Sequence, residues 1–169
     1  MFSVFKNINQ FAKKWEIVDL LAIFCARILP YLMVLFLFFY SIYTQYFYLF
    51  VYAILTGLFS RFVINELVHL FYKRQRPAYL EQAKVLIPVP KNSSFPSGHS
   101  SFFFGVSFFL FFYNAYLALI FIALSFLVGV ARVFCGVHWF RDIVGGFFAG
   151  AISAVIIYYL FTVYLLFIF

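Results

Sequence analysis

His138 and Asp142 stand four residues apart, a spacing that on a helix puts both side chains on one face. The carboxylate can then hold one imidazole nitrogen by a hydrogen bond and leave the other as a nucleophile. Arg132 lies six residues before His138, and a second histidine, His99, closes the polar island Phe95-Pro96-Ser97-Gly98-His99-Ser100. Pro96 suits the first turn of a helix, because its missing N–H is one of the donors left unpaired there anyway. The amides of Ser97, Gly98 and His99 would then point outward, an arrangement that holds an anion. Gly98 lets backbone approach a ligand closely, and the Ser97 hydroxyl is a donor for a phosphate oxygen. Arg76-Pro77 supplies a further cation. Arginine stays protonated and presents forked donors, which fits phosphate better than lysine does.

In order and internal spacing, Arg76-Pro77, Pro96-Ser97-Gly98-His99 and Arg132 with His138 and Asp142 resemble the three signature motifs of the type 2 phosphatidic acid phosphatase (PAP2) family. That family has acid phosphatases and vanadium haloperoxidases as soluble relatives. The resemblance implies a metal-independent lipid phosphatase without a cofactor. In it His138 attacks phosphorus in line to form a phosphohistidine, while Asp142 fixes the tautomer and stabilises the developing imidazolium. Arg132 and Arg76 neutralise charge on the equatorial oxygens. His99 protonates the leaving oxygen, then activates the water that hydrolyses the intermediate. Two positions depart from the pattern: His69 stands where the family has lysine, and Ala131 stands where serine usually precedes the arginine. His69, Lys73 and Arg76 fall at intervals of four and three, one helical face, so Lys73 or a protonated His69 is expected to supply the missing cation.

The elements that must position these groups belong in a bilayer. The 169-residue chain is 67% hydrophobic, 26% aromatic and 10% charged, too apolar to hide that surface within itself. Apolar runs at 17–43, 47–72, 96–113, 115–135 and 137–167 are each near or above the roughly 20 residues a spanning helix needs. They do not alternate as lipid-facing strands would. The expected architecture is an all-α, multi-pass membrane protein in a single domain (1–169), a bundle of about five transmembrane helices. Residues 1–16 read as an amphipathic interfacial helix, with Phe2, Phe5, Ile8, Phe11 and Trp15 on one side and lysines on the other. With this count, the motif-bearing ends of four helices meet at one membrane surface, joined by a connector at 73–95. The opposite surface carries no charge. Gly146, Gly150 and Ala154 form a small-residue stripe suited to close helix packing.

The net charge of +7 has no long basic run, so anionic lipid and a phosphate substrate account for it better than nucleic acid. Cys25 and Cys135 lack metal-ligand or CxxC spacing and read as core residues. Arg27 and Arg61 fall on the order of 15 Å below the polar face, and one of them is expected to pair with Glu66, either to fix helix register or to bind substrate. The resemblance leaves undecaprenyl diphosphate, phosphatidylglycerophosphate and the 1-phosphate of lipid A as candidate substrates. A phosphate or anion transporter is the alternative, although transport requires no oriented nucleophile. A zinc hydrolase fits less well, because the histidine spacings match no familiar zinc pattern and the arginines oppose a cation. The positive-inside rule puts the motif face in the cytoplasm, whereas the family resemblance puts it in the periplasm.

Overall fold

The computed structural model describes residues 2–80 and 82–168; Met1, Glu81 and Phe169, which fall within the expected interfacial helix, connector and single domain, lie outside the described residues. The described residues are helical throughout their regular structure, with no strand among them. Helix α1 (Phe2–Asn9) precedes α2 (Glu16–Arg27) and α3 (Leu29–Tyr43). Helix α4 (Phe47–Phe59) runs through a π-helical turn (Ser60–Ile64) into α5 (Asn65–Phe71), and the bundle closes with α6 (Gly98–Leu110), α7 (Ala115–Phe134) and α8 (Phe140–Ile168). Continuous apolar sequence dictates this: in hydrocarbon only a helix satisfies all its backbone polar groups within one segment.

All five apolar runs become helices, with two differences from the expected spans. Phe47–Phe71, Ala115–Phe134 and Phe140–Val163 are each long and apolar enough to cross a membrane, but 17–43 is bent by 46° between α2 and α3. Pro30, in the first turn of α3, has no N–H to give the carbonyl of Ala26 four residues back, and the helix breaks there. The freed Ala26 carbonyl instead accepts from Nη1 of Arg132 at 3.4 Å. Helix α6 has 13 residues, so at 1.5 Å per residue it is about 20 Å long, shorter than the hydrocarbon layer. It is the central helix, packed by α4, α7 and α8, and nine of its residues are buried.

The expected small-residue stripe is what lets α8 reach α6. A Cβ on Gly150 would lie 2.5 Å from the Gly105 nitrogen, and one on Gly146 would lie 2.6 Å from Ser100 Cβ. This approach joins the start of α6 to the start of α8. Several buried hydroxyls along the bundle donate to carbonyls one turn back, Ser107 to Phe103, Ser125 to Phe121 and Ser153 to Ala149, which keeps these three paired in an apolar setting.

The amino-terminal segment is helical only through Asn9, shorter than expected, and then turns through Lys14 with Lys13 at φ 61°. Phe11 and Trp15 leave the helical face and stack on each other, while Phe5 is buried against Trp139 with ring centroids 5.1 Å apart. Asn9 Nδ2 donates to the Lys84 and Phe134 carbonyls at 2.8 and 2.7 Å, and its Oδ1 accepts from the Lys84 amide at 2.9 Å. One buried asparagine thereby ties α1, the connector and the end of α7 together.

Gly150→Val should lower the stability of the folded protein by about 1–3 kcal/mol, the usual cost of overpacking a tight interface. Ile152→Val, at an exposed position of the same helix, should leave it unchanged. Thermal unfolding midpoints of the two variants in detergent provide the comparison.

Candidate active site

Helix α7 ends at Phe134, and a tight turn with Gly136 at φ 80° leads to α8, which starts at Phe140. Glycine is required at that position because a side chain disfavours positive φ, and a Cβ there would lie 2.6 Å from the Lys84 carbonyl oxygen. His138 therefore sits in the turn, not on the helix, and Asp142 lies in the first turn of α8. This corrects the expected shared helical face while keeping the contact: His138 Nδ1 lies 3.3 Å from Asp142 Oδ2 and 3.1 Å from the Ser94 carbonyl oxygen. Both neighbours are acceptors, so Nδ1 carries the hydrogen and Nε2 presents a lone pair. Nε2 accepts from Arg76 Nη1 at 3.1 Å.

Asp142 is fully buried and fully employed. Its carboxylate accepts from the Trp139 amide at 2.8 Å, from the Ser94 hydroxyl, and from Arg74 Nη1 at 3.5 Å, in addition to His138. Its own carbonyl accepts from the Ser97 amide at 3.0 Å. Pro96 accordingly lies outside α6, and Ser97 is the N-cap: its hydroxyl accepts from the Ser100 amide at 3.4 Å and the Ser100 hydroxyl at 3.2 Å. The expected outward Ser97 amide is thus committed to Asp142. The Ser97 hydroxyl hydrogen and the Gly98 and His99 amides are the donors that this helix start presents.

Arg76 is 4% exposed, and each of its five N–H groups has an acceptor. Nε gives to the Asn92 carbonyl (3.1 Å), Nη2 to Asn92 Oδ1 (2.7 Å) and the Ser93 carbonyl (3.1 Å), and Nη1 to the Val137 carbonyl (3.0 Å) and to His138 Nε2. Arg132 differs: it is 5% exposed, its Nε has no partner, and one Nη1 contact to Ala26 is its hydrogen bond to the protein. A buried guanidinium with free donors fits an anion. Arg76 contacts His138, Arg61 lies over Gly98 and shares a groove with His99, and Arg132 is buried with Nε unpartnered. Three guanidiniums thus gather about two imidazoles, and a bound phosphate dianion is the charge this cluster lacks.

His69 and Lys73 line a separate polar cleft of about 680 Å³ that reaches Arg76 and Asn92. They do not share a helical face, because α5 ends at Phe71 and Tyr72 is extended. Lys73 is exposed, whereas His69 is mostly buried, with Nδ1 3.3 Å from Glu66 Oε1 and Nε2 without a partner. The expected arginine pair of Glu66 is replaced by this contact. Arg27 ends α2 in an exposed position, and Arg61 turns to Gly98 and His99. Sequence reading passed over Ser94, Asn92, Arg74 and Trp139. Ser94 and Trp139 adjoin motif residues, which was the available signal; Asn92 and Arg74 carry none.

Residues 45–164 match the PAP2 superfamily. The chain belongs to that family. It is a membrane lipid phosphatase with a multi-pass, all-helical PAP2 fold. The chain is 25% identical over 157 residues to the bacitracin transport permease protein BcrC of Bacillus licheniformis, covering 92% of this chain and 77% of that one. Two solved structures share the fold. One is LpxE of Aquifex aeolicus, with TM-score 0.69 at 23% identity, covering 92% of this chain and 93% of the other. The second is a transmembrane PAP2 type phosphatidylglycerolphosphate phosphatase of Bacillus subtilis, with TM-score 0.63 at 21% identity, covering 92% and 83%.

Burial pushes the His138 imidazole down to about 4 from 6.5, the Asp142 hydrogen bond opposing it and the charges of Arg132 and Arg76 adding to it. The neutral, nucleophilic ring is lost only as pH falls through that value. The His138 ring signals in an NMR pH titration of the detergent-extracted protein should therefore shift with a midpoint near pH 4. A midpoint at about pH 6–7 would show the ring titrating as an ordinary imidazole.

Proposed function

We propose that this PAP2 enzyme removes the terminal phosphate of a lipid phosphate or diphosphate through a phosphohistidine at His138, in one domain spanning 1–169. The observation that carries the reading is the His138 ring, whose Nδ1 is held between two acceptors while Nε2 faces Arg76 in an arginine-rich pocket. Attack by Nε2 on phosphorus breaks its contact with Arg76 Nη1, and that hydrogen turns to an equatorial oxygen of the transferring group. Arg132 and the Ser97 hydroxyl meet the same oxygens, with the Gly98 and His99 amides behind them. Asp142, held from four directions, stabilises the imidazolium without moving. His99 gives its proton to the leaving oxygen and then takes one from the water that cleaves the P–N bond. In the cleft that reaches Arg76, His69 is held against Glu66 and Lys73 is an exposed cation.

The phosphatidylglycerolphosphate named for the Bacillus subtilis structure, the 1-phosphate of lipid A and undecaprenyl diphosphate share what this site suits: a terminal phosphate on a lipid. The transport named for the Bacillus licheniformis relative supplies a second reading, passage of an anion past the arginines. A route for ions has no use for a histidine with a fixed tautomer, so hydrolysis accounts for more of the geometry.

His138→Ala should abolish phosphate release while leaving the detergent-extracted protein folded. Asp142→Asn should lower kcat by roughly 10²–10⁴-fold, because it disturbs orientation and charge but keeps the attacking atom. Phosphate release from a lipid phosphate after exhaustive chelation provides the assay; turnover by His138→Ala, or loss of turnover on chelation, rejects the mechanism.

A further inference from the structure

Arg61 is a cation within a membrane span for which none of the family motifs accounts. The π-helical turn places it: the Asn65 amide reaches back five residues to the Ser60 carbonyl, and the extra residue rotates the side chains away from their α-helical positions. Ser101 Oγ donates to Asn65 Oδ1 at 2.9 Å, which locks that turn to α6. Arg61 then lies over the start of α6, where a Cβ on Gly98 would be 3.7 Å from its Cζ and Nε. Among the described residues it has no carboxylate partner, and its ring contact is with Phe62 at 5.4 Å. Arg61 is only partly buried, yet a cation held within a membrane span is costly, and one with no counter-ion beside it is a candidate for a ligand route.

Arg61 shares with His99 a groove of about 290 Å³ between α3, α4 and α6, walled by Val34, Leu58, Phe102 and Phe103. In-line attack by His138 sends the leaving oxygen to the side of phosphorus opposite Nε2, and His99, the proton donor of the proposed mechanism, lines the groove. An alcohol leaving group needs a proton there and no permanent cation. A phosphate leaving group brings its own negative charge, which a guanidinium matches with forked donors.

Resting on the phosphohistidine reading, we propose that Arg61 is a specificity-determining residue that binds the lipid-side phosphate of a lipid diphosphate, with the lipid chain lying in the apolar groove. The bond formed joins His138 Nε2 to the terminal phosphorus. The bond broken joins that phosphorus to the bridging oxygen, which leaves on the lipid monophosphate with a proton from His99. Water then releases orthophosphate and returns the proton to His99.

The test compares kcat/KM for a polyprenyl diphosphate and for the monophosphate of the same alcohol, using the full chain in detergent. The wild-type protein should prefer the diphosphate. Arg61→Gln should slow both, with the loss on the diphosphate larger by on the order of 30-fold, as expected for a lost charge-assisted hydrogen bond. Arg61→Lys should recover part of the preference, and if the glutamine variant does not fold, the same ratio read on the lysine variant decides. Equal losses on both lipids, or a wild-type preference for the monophosphate, overturn the assignment. Loss of orthophosphate inhibition in Arg61→Gln would place Arg61 on the transferred group and overturn it as well. Failure of the underlying mechanism is distinguished by a separate result, turnover in His138→Ala.

Discussion

The Asp142 carboxylate is the constraint on which the rest of the site depends. Fully buried, it accepts from the Ser94 hydroxyl, the Trp139 amide, His138 Nδ1 and Arg74 Nη1. A buried carboxylate costs several kcal/mol unless donors surround it, and these donors come from two separate parts of the chain, while a third part donates to the backbone carbonyl of the same residue. The connector contributes Arg74 and Ser94, the turn before α8 contributes Trp139 and His138, and the residue's own carbonyl receives the cap of α6 through Ser97. Satisfying one charge therefore brings the ends of α5, α6 and α8 to one place. The His138 tautomer follows from the same arrangement.

The connector works as a scaffold. Its two ends pair through Arg74 and Ser94, whose backbone groups are 2.9 Å apart, and through the Arg74 amide and Ser93 Oγ at 3.1 Å. Arg76 spans the closed loop with all five donors, and Arg74 is stacked over Trp139 at 5.0 Å. In the proposed mechanism Arg76 holds the site's shape until the phosphoryl group takes the position of its contact with Nε2. Arg132, with donors free, is the cation ready for an anion beforehand. Two arginines of the same motif set differ because one has an acceptor for each of its five donors and the other has its Nε without a partner.

Much of this was legible in the sequence because it depends on local spacing and bulk hydropathy. Apolar length alone gave the helices, and the His138–Asp142 interval gave the pair even though a turn, not a helix, delivers it. Local rules failed where long-range contacts decide. Whether α5 continues to Arg76 depends on the connector folding back onto Arg74, so Lys73 and Arg76 leave the helical face on which their spacing would put them. Pro96 reads as a helix start by itself, but Asp142 takes the Ser97 amide and the helix starts two residues later, at Gly98. The break at Pro30 could be read from proline chemistry; that its orphaned Ala26 carbonyl faces Arg132 could not.

The central claim is covalent transfer to one nitrogen, and the most direct measurement is to trap it. A lipid phosphate or diphosphate labelled at its terminal phosphorus, mixed with the enzyme and quenched within a turnover, should leave label bound to the protein. Peptide mapping should place that label on His138. Stoichiometric release of orthophosphate with no labelled protein at any quench time, or label on a different residue, would contradict the account.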